Sequence, residues 1–302
     1  MNEKDSESYI DICPPTEFDF SECLVFLGRS EHEVLHQVRD GCLYKLVNIN
    51  DEMILLKIRS SLGSILVELP MGPSSESARV EVVSYIREWF DLDQNLNNFY
   101  NAVSQDMVLG QLVHKYYGLR MICIPDLFEA LTWAIMGQQI NLTFAYTLKK
   151  RFTEHFGECL SFKGETHWLY PTHEKIAALD VEDLRKLQFT VRKAEYIIGI
   201  AKAMAHGEIN KQLLLQKQDY EKIKQSLMDI RGIGAWTADY VMMKCLHHSG
   251  AFPLADVGLH NALKIQMGLD RKPTIEEIKE MAAHWEGWQA YATFYLWRSL
   301  YE

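Results

Sequence analysis

The sequence predicts a mainly α-helical protein with an α+β domain at its N-terminal end. Three observations carry that prediction. Short runs rich in β-branched and aliphatic residues, separated by turn signals, fill residues 20 to about 70. From about Asn95 onward apolar residues recur at helical spacing. Between two of those helical stretches stands Gly232-Ile233-Gly234, a turn bracketed by residues without a Cβ.

In chain order, the segments CLVFL, LYKLVNI, MILLKIR and SILVEL read as strands, with Asn50-Asp51 and Ser60–Gly63 as the turns between them. Ser74–Ser77 precedes an amphipathic helix with Val80, Val83, Ile86 and Phe90 on one side. This makes an antiparallel sheet packed on helices over residues 1–118, a structural platform without a catalytic constellation. Residues 119–302 form an all-helical core. Asp126 opens the helix DLFEALTWAIMG, whose stripe is Leu127, Leu131, Ala134 and Ile135, and Asn141 caps the next helix, LTFAYTLKKRF. An aromatic-rich connection follows (Phe162, His167, Trp168, Tyr170, Pro171), and Thr172 and Asp180 begin short helices. The last two helices carry Trp285, Trp288, Tyr291, Phe294, Tyr295 and Trp297, more aromatic surface than packing alone requires.

Ile223, Leu227 and Ile230 before the glycine turn, and Trp236, Tyr240, Met243 and Leu246 after it, keep helical spacing, so residues 220–247 form a helix–hairpin–helix. Such a hairpin presents unpaired N–H groups at a helix start, an arrangement that binds phosphate without a charged side chain. The same glycines also suit an ordinary helical hairpin. Asp256 lies in FPLADVGL after a proline loop and reads as a helix N-cap; a helix start at a cleft mouth also holds an ionised carboxylate in place.

Composition sets outer limits. A chain of 302 residues with 48% hydrophobic and 24% charged residues is a globular protein of two or three domains, with no apolar run long enough for a membrane span. The N-terminus MNEKDSESYIDICPP is polar and acidic, unlike a signal peptide, which points to the cytoplasm. Cys13, Cys23, Cys42, Cys123, Cys159 and Cys245 form no CxxC pair and read as free thiols; neither a disulfide framework nor an iron–sulfur cluster is expected. The 11 histidines show no metal-ligand spacing, and His247-His248 reads as a solvated pair. The net charge of −10 disfavours nucleic acid as a global number, but residues 185–245 carry eleven Lys/Arg against six Asp/Glu. That excess surrounds the hairpin and includes Arg185, Lys186, Arg192 and Lys193.

The stretch IRGIGAWTADYVMM followed by FPLADVGL resembles the helix–hairpin–helix (HhH-GPD) superfamily of DNA glycosylases, and within it the bacterial inducible 3-methyladenine DNA glycosylase branch. The resemblance extends over nearly the whole chain: the N-terminal part is similar to a TATA-binding-protein-like domain, WAIMGQQIN to the first core helices, and FYLWRSL to the C-terminal aromatic helix. It implies Asp256 as the catalytic carboxylate and Trp236, Tyr240 and Trp297 as the pocket for an extruded base. It implies that Gly232, Ile233, Gly234 and Ala235 meet the DNA backbone, that Gln139 holds the wedge position, and that the carbonyls of Met228, Ile230 and Ile233 hold Na+ or K+. No other cofactor is implied. Core packing is an equally good account of Tyr240. Three positions depart from that branch: Gln139 is polar where it has an apolar wedge, Val257 replaces an aromatic, and Gln188 replaces a glycine.

The implied activity is hydrolysis of the N-glycosidic bond of alkylated purines such as 3-methyladenine and 7-methylguanine, after the base is flipped from double-stranded DNA, by a monomeric enzyme. Lyase members carry a lysine where this chain has Trp236, so the expected enzyme leaves an abasic site. The alternatives are a non-catalytic damage-binding protein and a glycosylase of another lesion class. The lesion preferred, inducibility and repair partners are not written in the sequence.

Overall fold

A computed structural model describes residues 9–72 and 74–301. Met1–Ser8, part of the acidic N-terminal stretch, lie outside the described residues. The N-terminal domain contains β1 (Tyr9–Ile12), α1 (Phe20–Leu27), β2 (His36–Arg39), β3 (Cys42–Ile49), β4 (Glu52–Ser61), β5 (Ser64–Glu68), α2 (Glu76–Trp89), α3 (Leu96–Val103) and α4 (Leu109–Lys115). The sheet is antiparallel, in the order β1-β5-β4-β3-β2. Its hairpins close on two-residue turns in which both residues have positive φ: Asp40-Gly41, Asn50-Asp51 and Leu62-Gly63. That geometry matches the right-handed strand twist and fixes the register. Ile54, Leu56 and Ile58 alternate onto the face that joins Ile65 and Val67 in the core under α1 and α2.

Two expectations are corrected here. CLVFL is not a strand but the body of α1: Asp19 accepts from the N–H groups of Ser21 and Glu22, and Phe20, Cys23, Phe26 and Leu27 are buried at helical spacing. The strands β1 and β2 take its place in the sheet. In α2, which Ser75 caps, the buried stripe is Ala78, Val82, Ile86 and Trp89; of the expected side Ile86 and Phe90 are buried, while Val80 is 63% exposed.

The remaining elements are α5 (Leu127–Gly137), α6 (Leu142–Phe156), β6 (Glu158–Phe162), β7 (Glu165–Leu169), α7 (His173–Ala177), α8 (Val181–Arg185), α9 (Val191–Ala205), α10 (Lys211–Leu215), α11 (Tyr220–Met228), α12 (Ala235–Lys244), α13 (Val257–Gln266), α14 (Ile275–Met281), a 3-10 turn and α15 (Gln289–Arg298). The β6–β7 hairpin corrects the expectation of an all-helical core. Its turn, Lys163-Gly164, again has positive φ at both residues. The hairpin leans on the N-terminal sheet through Gln37 Nε2 to the Thr166 carbonyl (3.1 Å) and Tyr44 stacked on His167. One continuous apolar core then runs from β1 to α15 and joins the two domains. No helix among the described residues is long and apolar enough to cross a membrane.

Candidate active site

The hairpin is built by two glycines with different tasks. Gly232 has φ +99°, and a Cβ there would lie 2.4 Å from the Tyr196 ring, so both backbone and neighbour exclude a side chain. Gly234 is extended (φ −94°, ψ 177°) and is the N-cap of α12 without a side-chain hydrogen bond. A Cβ on Gly234 would meet nothing within 4 Å. Its missing side chain therefore leaves the start of α12 open from outside, with Gly234 and Ala235 exposed. The Ile233 amide is not available there: it donates to the Ile230 carbonyl at 3.0 Å and closes the turn, and its side chain is buried. This corrects its place among the backbone-binding amides.

Two contacts hold the hairpin rigid. Asp239 on α12 accepts from Tyr220 Oη (2.6 Å) and pairs with Lys224 (2.8 Å), both on α11. Gln138 Nε2 donates to the Gly232 carbonyl and to Thr237 Oγ1, each at 3.0 Å. Sequence reasoning passed over Gln138. It sits beside Gln139 in the polar interruption, and only the fold shows which of the two amides turns inward. Gln139 is exposed with φ +55° and leads outward from the same loop.

Asp256 caps α13 as its position predicted, accepting from the Leu259 N–H at 2.8 Å. The same carboxylate accepts from Trp236 Nε1 (3.1 Å) and Trp297 Nε1 (2.7 Å). It is half-buried, between exposed Ala255 and Val257, and among the described residues no Lys or Arg is paired with it. The sequence also gave no weight to Gly258: a Cβ there would stand 2.9 Å from Asp256 Oδ1 and 3.1 Å from Trp297 Nε1, so its absence lets indole and carboxylate meet.

The three expected pocket aromatics come together, but not as equals. Tyr240 lies 5.6 Å from Trp236 and 6.1 Å from Trp297, centroid to centroid, with the ring planes tilted by 32° and 35°. Trp236 and Trp297 are half-buried and pack on a floor of buried rings, Tyr240 (8% exposed), Trp133 and Tyr146. Trp133 and Tyr146 were missed; their place on α5 and α6, flanking the GQQIN turn, was the available signal. Behind the floor is a cavity of about 60 Å³ lined by Arg29, Glu33, Glu129 and Lys149, among others. Lys149 bridges Glu33 (3.0 Å) and Glu129 (3.2 Å) and lies 5.4 Å from the Trp133 ring. Burial is the largest single influence on Glu33 and works to raise its pKa, but Lys149, His36 and the Leu35 amide together outweigh it and hold the carboxyl well below its usual range.

Elsewhere the structure revises the sequence reading. In the basic region Arg185 and Lys186 pair with Glu182 and Asp183, and Lys193 is buried, donating to the Met136 carbonyl at the end of α5. Gln188 has φ +73°, so it keeps the left-handed turn of the glycine it replaces, and its Oε1 accepts from Arg151. Trp285, Tyr291, Phe294 and Tyr295 are core residues: Trp285 Nε1 donates to Asp106 (2.8 Å) and Tyr295 Oη to the Leu119 carbonyl (3.0 Å). Packing thus explains most of the C-terminal aromatics, and Trp297 alone among these reaches Asp256. His247 is partly exposed but held by Asp91 and Cys123, and His248 packs on Tyr220.

Residues 132–289 match the HhH-GPD superfamily of base excision DNA repair proteins, and residues 12–131 match the 8-oxoguanine DNA glycosylase N-terminal domain. The chain is 43% identical over 290 residues to the DNA-3-methyladenine glycosylase of Bacillus subtilis, covering 95% of each chain. Its fold is that of the 3-methyladenine DNA-glycosylase from Archaeoglobus fulgidus (TM-score 0.82, 24% identity, 95% of this chain and 97% of that one). It is also that of the Clostridium acetobutylicum 8-oxoguanine glycosylase/lyase in complex with dsDNA (TM-score 0.76, 17% identity, 97% and 95%).

Proposed function

The chain belongs to the HhH-GPD superfamily of base excision DNA repair proteins, and we propose that it is a DNA-3-methyladenine glycosylase that releases alkylated purines from DNA. The observation that carries this reading is Asp256, half-buried and held by two indole N–H groups. Trp236, one of its donors, is only two residues past Gly234 of the hairpin.

The chemistry follows from that arrangement. A duplex hides the glycosidic bond, so the nucleotide must rotate out, at a cost of a few kcal/mol that is least for damaged bases. Exposed amides at Gly234 and Ala235 take a backbone phosphate, helped by the positive end of α12. Gln139, pointing outward from the loop that Gln138 pins to the hairpin, fills the gap left in the stack. The carbonyls of Met228, Ile230 and Ile233 at the end of α11 would hold a monovalent cation, the Ile230 oxygen keeping one lone pair for it after accepting from Ile233.

As the base leaves, positive charge grows on the sugar. Among the described residues no cation is paired with Asp256, so its charge is left to stabilise the sugar cation electrostatically, and water completes the hydrolysis. Trp236 and Trp297 fix the carboxylate through their N–H groups and offer ring faces to the base. A cationic purine gains up to about 2 kcal/mol on such a face, which is under two decades of discrimination. The weakened bond and easier flipping of the lesion supply the rest, giving a broad specificity for alkylpurines. Trp236 cannot form a Schiff base, so the product is an abasic site in an uncut strand. The protein acts as a monomer on damaged double-stranded DNA in the cytoplasm.

Chromatography of bases freed from methylated DNA tests the assignment: 3-methyladenine and 7-methylguanine should appear with the wild-type protein and not with Asp256→Asn. Release of no base by the wild type, or equal release by both proteins, would refute it. Borohydride should trap no covalent protein–DNA adduct.

A further inference from the structure

Away from the cleft, three segments distant in sequence bring unlike donors together. Asp91 follows α2, Cys123 stands in the segment before α5, and His247 follows α12. His247 Nδ1 lies 2.8 Å from Asp91 Oδ1 and 3.6 Å from Cys123 Sγ. One ligand-capable atom from each residue falls within 4.8 Å of the other two. We propose that Asp91, Cys123 and His247 form a Zn2+ site that ties the N-terminal domain to the helical core.

The spacing fits. With Zn–N of about 2.0 Å and Zn–S of about 2.3 Å, a tetrahedral ion separates the two donors by about 3.5 Å, close to the observed His247–Cys123 distance. The same geometry needs about 3.4 Å between nitrogen and oxygen, so Asp91 moves out by about half an ångström as the ion takes the place of the shared proton. The donor chemistry fits as well. One thiolate, one imidazole and one carboxylate suit zinc, whereas calcium and magnesium take oxygen alone. A thiolate and a carboxylate together also neutralise a divalent ion in a place where Cys123 is buried and the Asp91 side chain is only 12% exposed.

The surroundings supply the outer contacts that such ligands need. Tyr291 Oη donates to the other Asp91 oxygen at 2.5 Å and orients the carboxylate. The far ring nitrogen of His247 is buried and without a hydrogen bond, and Glu88 Oε1 lies 3.5 Å from it. With Nδ1 on the metal, the Nε2 proton has that carboxylate as its acceptor, the usual carboxylate–histidine–metal relay. Three protein donors leave a fourth position for water, reached from the side on which His247 is partly exposed.

Cobalt(II) titration of the chelator-treated full chain tests this directly. A thiolate-to-cobalt charge-transfer band should grow to one equivalent and vanish on adding zinc. Cys123→Ser, a near-isosteric change, should abolish the band, and His247→Gln should weaken cobalt binding by at least about tenfold. Glu88→Gln should weaken it by about 10- to 100-fold while keeping the band. Circular dichroism melts in chelator establish that each variant is folded, and His247→Gln serves where Cys123→Ser is not. A folded wild-type protein that gives no band with stoichiometric cobalt overturns the site. So does a band at full strength in Cys123→Ser, which would come from another of the free thiols.

Discussion

The Trp297 indole donates to Asp256 Oδ1 at 2.7 Å, joining two residues 41 positions apart on different helices. Trp236 donates to the other oxygen at 3.1 Å. The carboxylate is thus aimed by rings from both sides. Asp256→Asn keeps an oxygen for Leu259 and Trp297 but turns an NH2 toward the Trp236 donor. Base release is expected to fall by a factor on the order of 10² to 10³, with affinity for abasic-analogue DNA retained. Since Asn also caps helices well, the unfolding midpoint should shift by less than about 1 kcal/mol in stability. Trp297→Phe keeps the ring and removes the donor. It should lower the single-turnover rate by up to about 100-fold, the equivalent of a hydrogen bond to a charged group.

The two hairpin glycines separate stability from binding. Gly232→Ala forces a side chain into a left-handed backbone, at about 1–3 kcal/mol, and drives its Cβ into Tyr196. Its urea midpoint should drop clearly. Gly234→Ala meets no protein atom within 4 Å and adopts a backbone open to any residue. Its stability should change by under about 1 kcal/mol, while DNA affinity in a fluorescence titration falls roughly tenfold, the value of one hydrogen bond to a charged group. Equal destabilisation by both changes would contradict the division of labour.

Gly258→Ala should do the reverse of most core substitutions and harm activity without harming the fold. Its backbone φ is outside the left-handed region, and alanine favours helix over glycine by up to about 1 kcal/mol. The added methyl nevertheless pushes between Asp256 and Trp297. Thermal melts should be unchanged or slightly raised, and base release should fall at least about tenfold, as expected when a reacting group is displaced by a fraction of an ångström.

Lys244 gives stability a pH dependence. Burial pushes its ammonium down from 10.5 to about 7, with Phe26 and Phe294 beside it and the Ile122 carbonyl as its hydrogen-bond acceptor. Between those two values the unfolded chain holds more protons than the folded one. Stability from this group therefore rises as pH rises through that window, by up to about 1.4 kcal/mol per pH unit. Urea unfolding at pH 7 to about 9.5 should show this slope in the wild type and a flatter one in Lys244→Met.

Much of the site was legible because local rules write it. Asp126, Asn141, Thr172 and Asp256 all cap helices where the sequence placed them, since capping needs only a short polar side chain and the next few amides. Gly232-Ile233-Gly234 announced a hairpin because a left-handed backbone has few solutions other than glycine. Residues 23–27 misled because an unbroken apolar run carries no period, so helix and strand look alike until a cap is counted.

Tertiary structure decided what depends on partners far along the chain. It turned Gln138 inward and left Gln139 outside, buried Tyr240 and left Trp297 half-buried over it, and buried Trp285, Tyr291 and Tyr295 that looked available for ligand. It also removed Ile233 from the phosphate-binding amides by spending its N–H inside the turn. Backbone conformation and capping are settled within a few residues, and sequence by itself determines them. Which face of a side chain meets solvent, and which donors converge on one carboxylate, is settled only when distant segments pack.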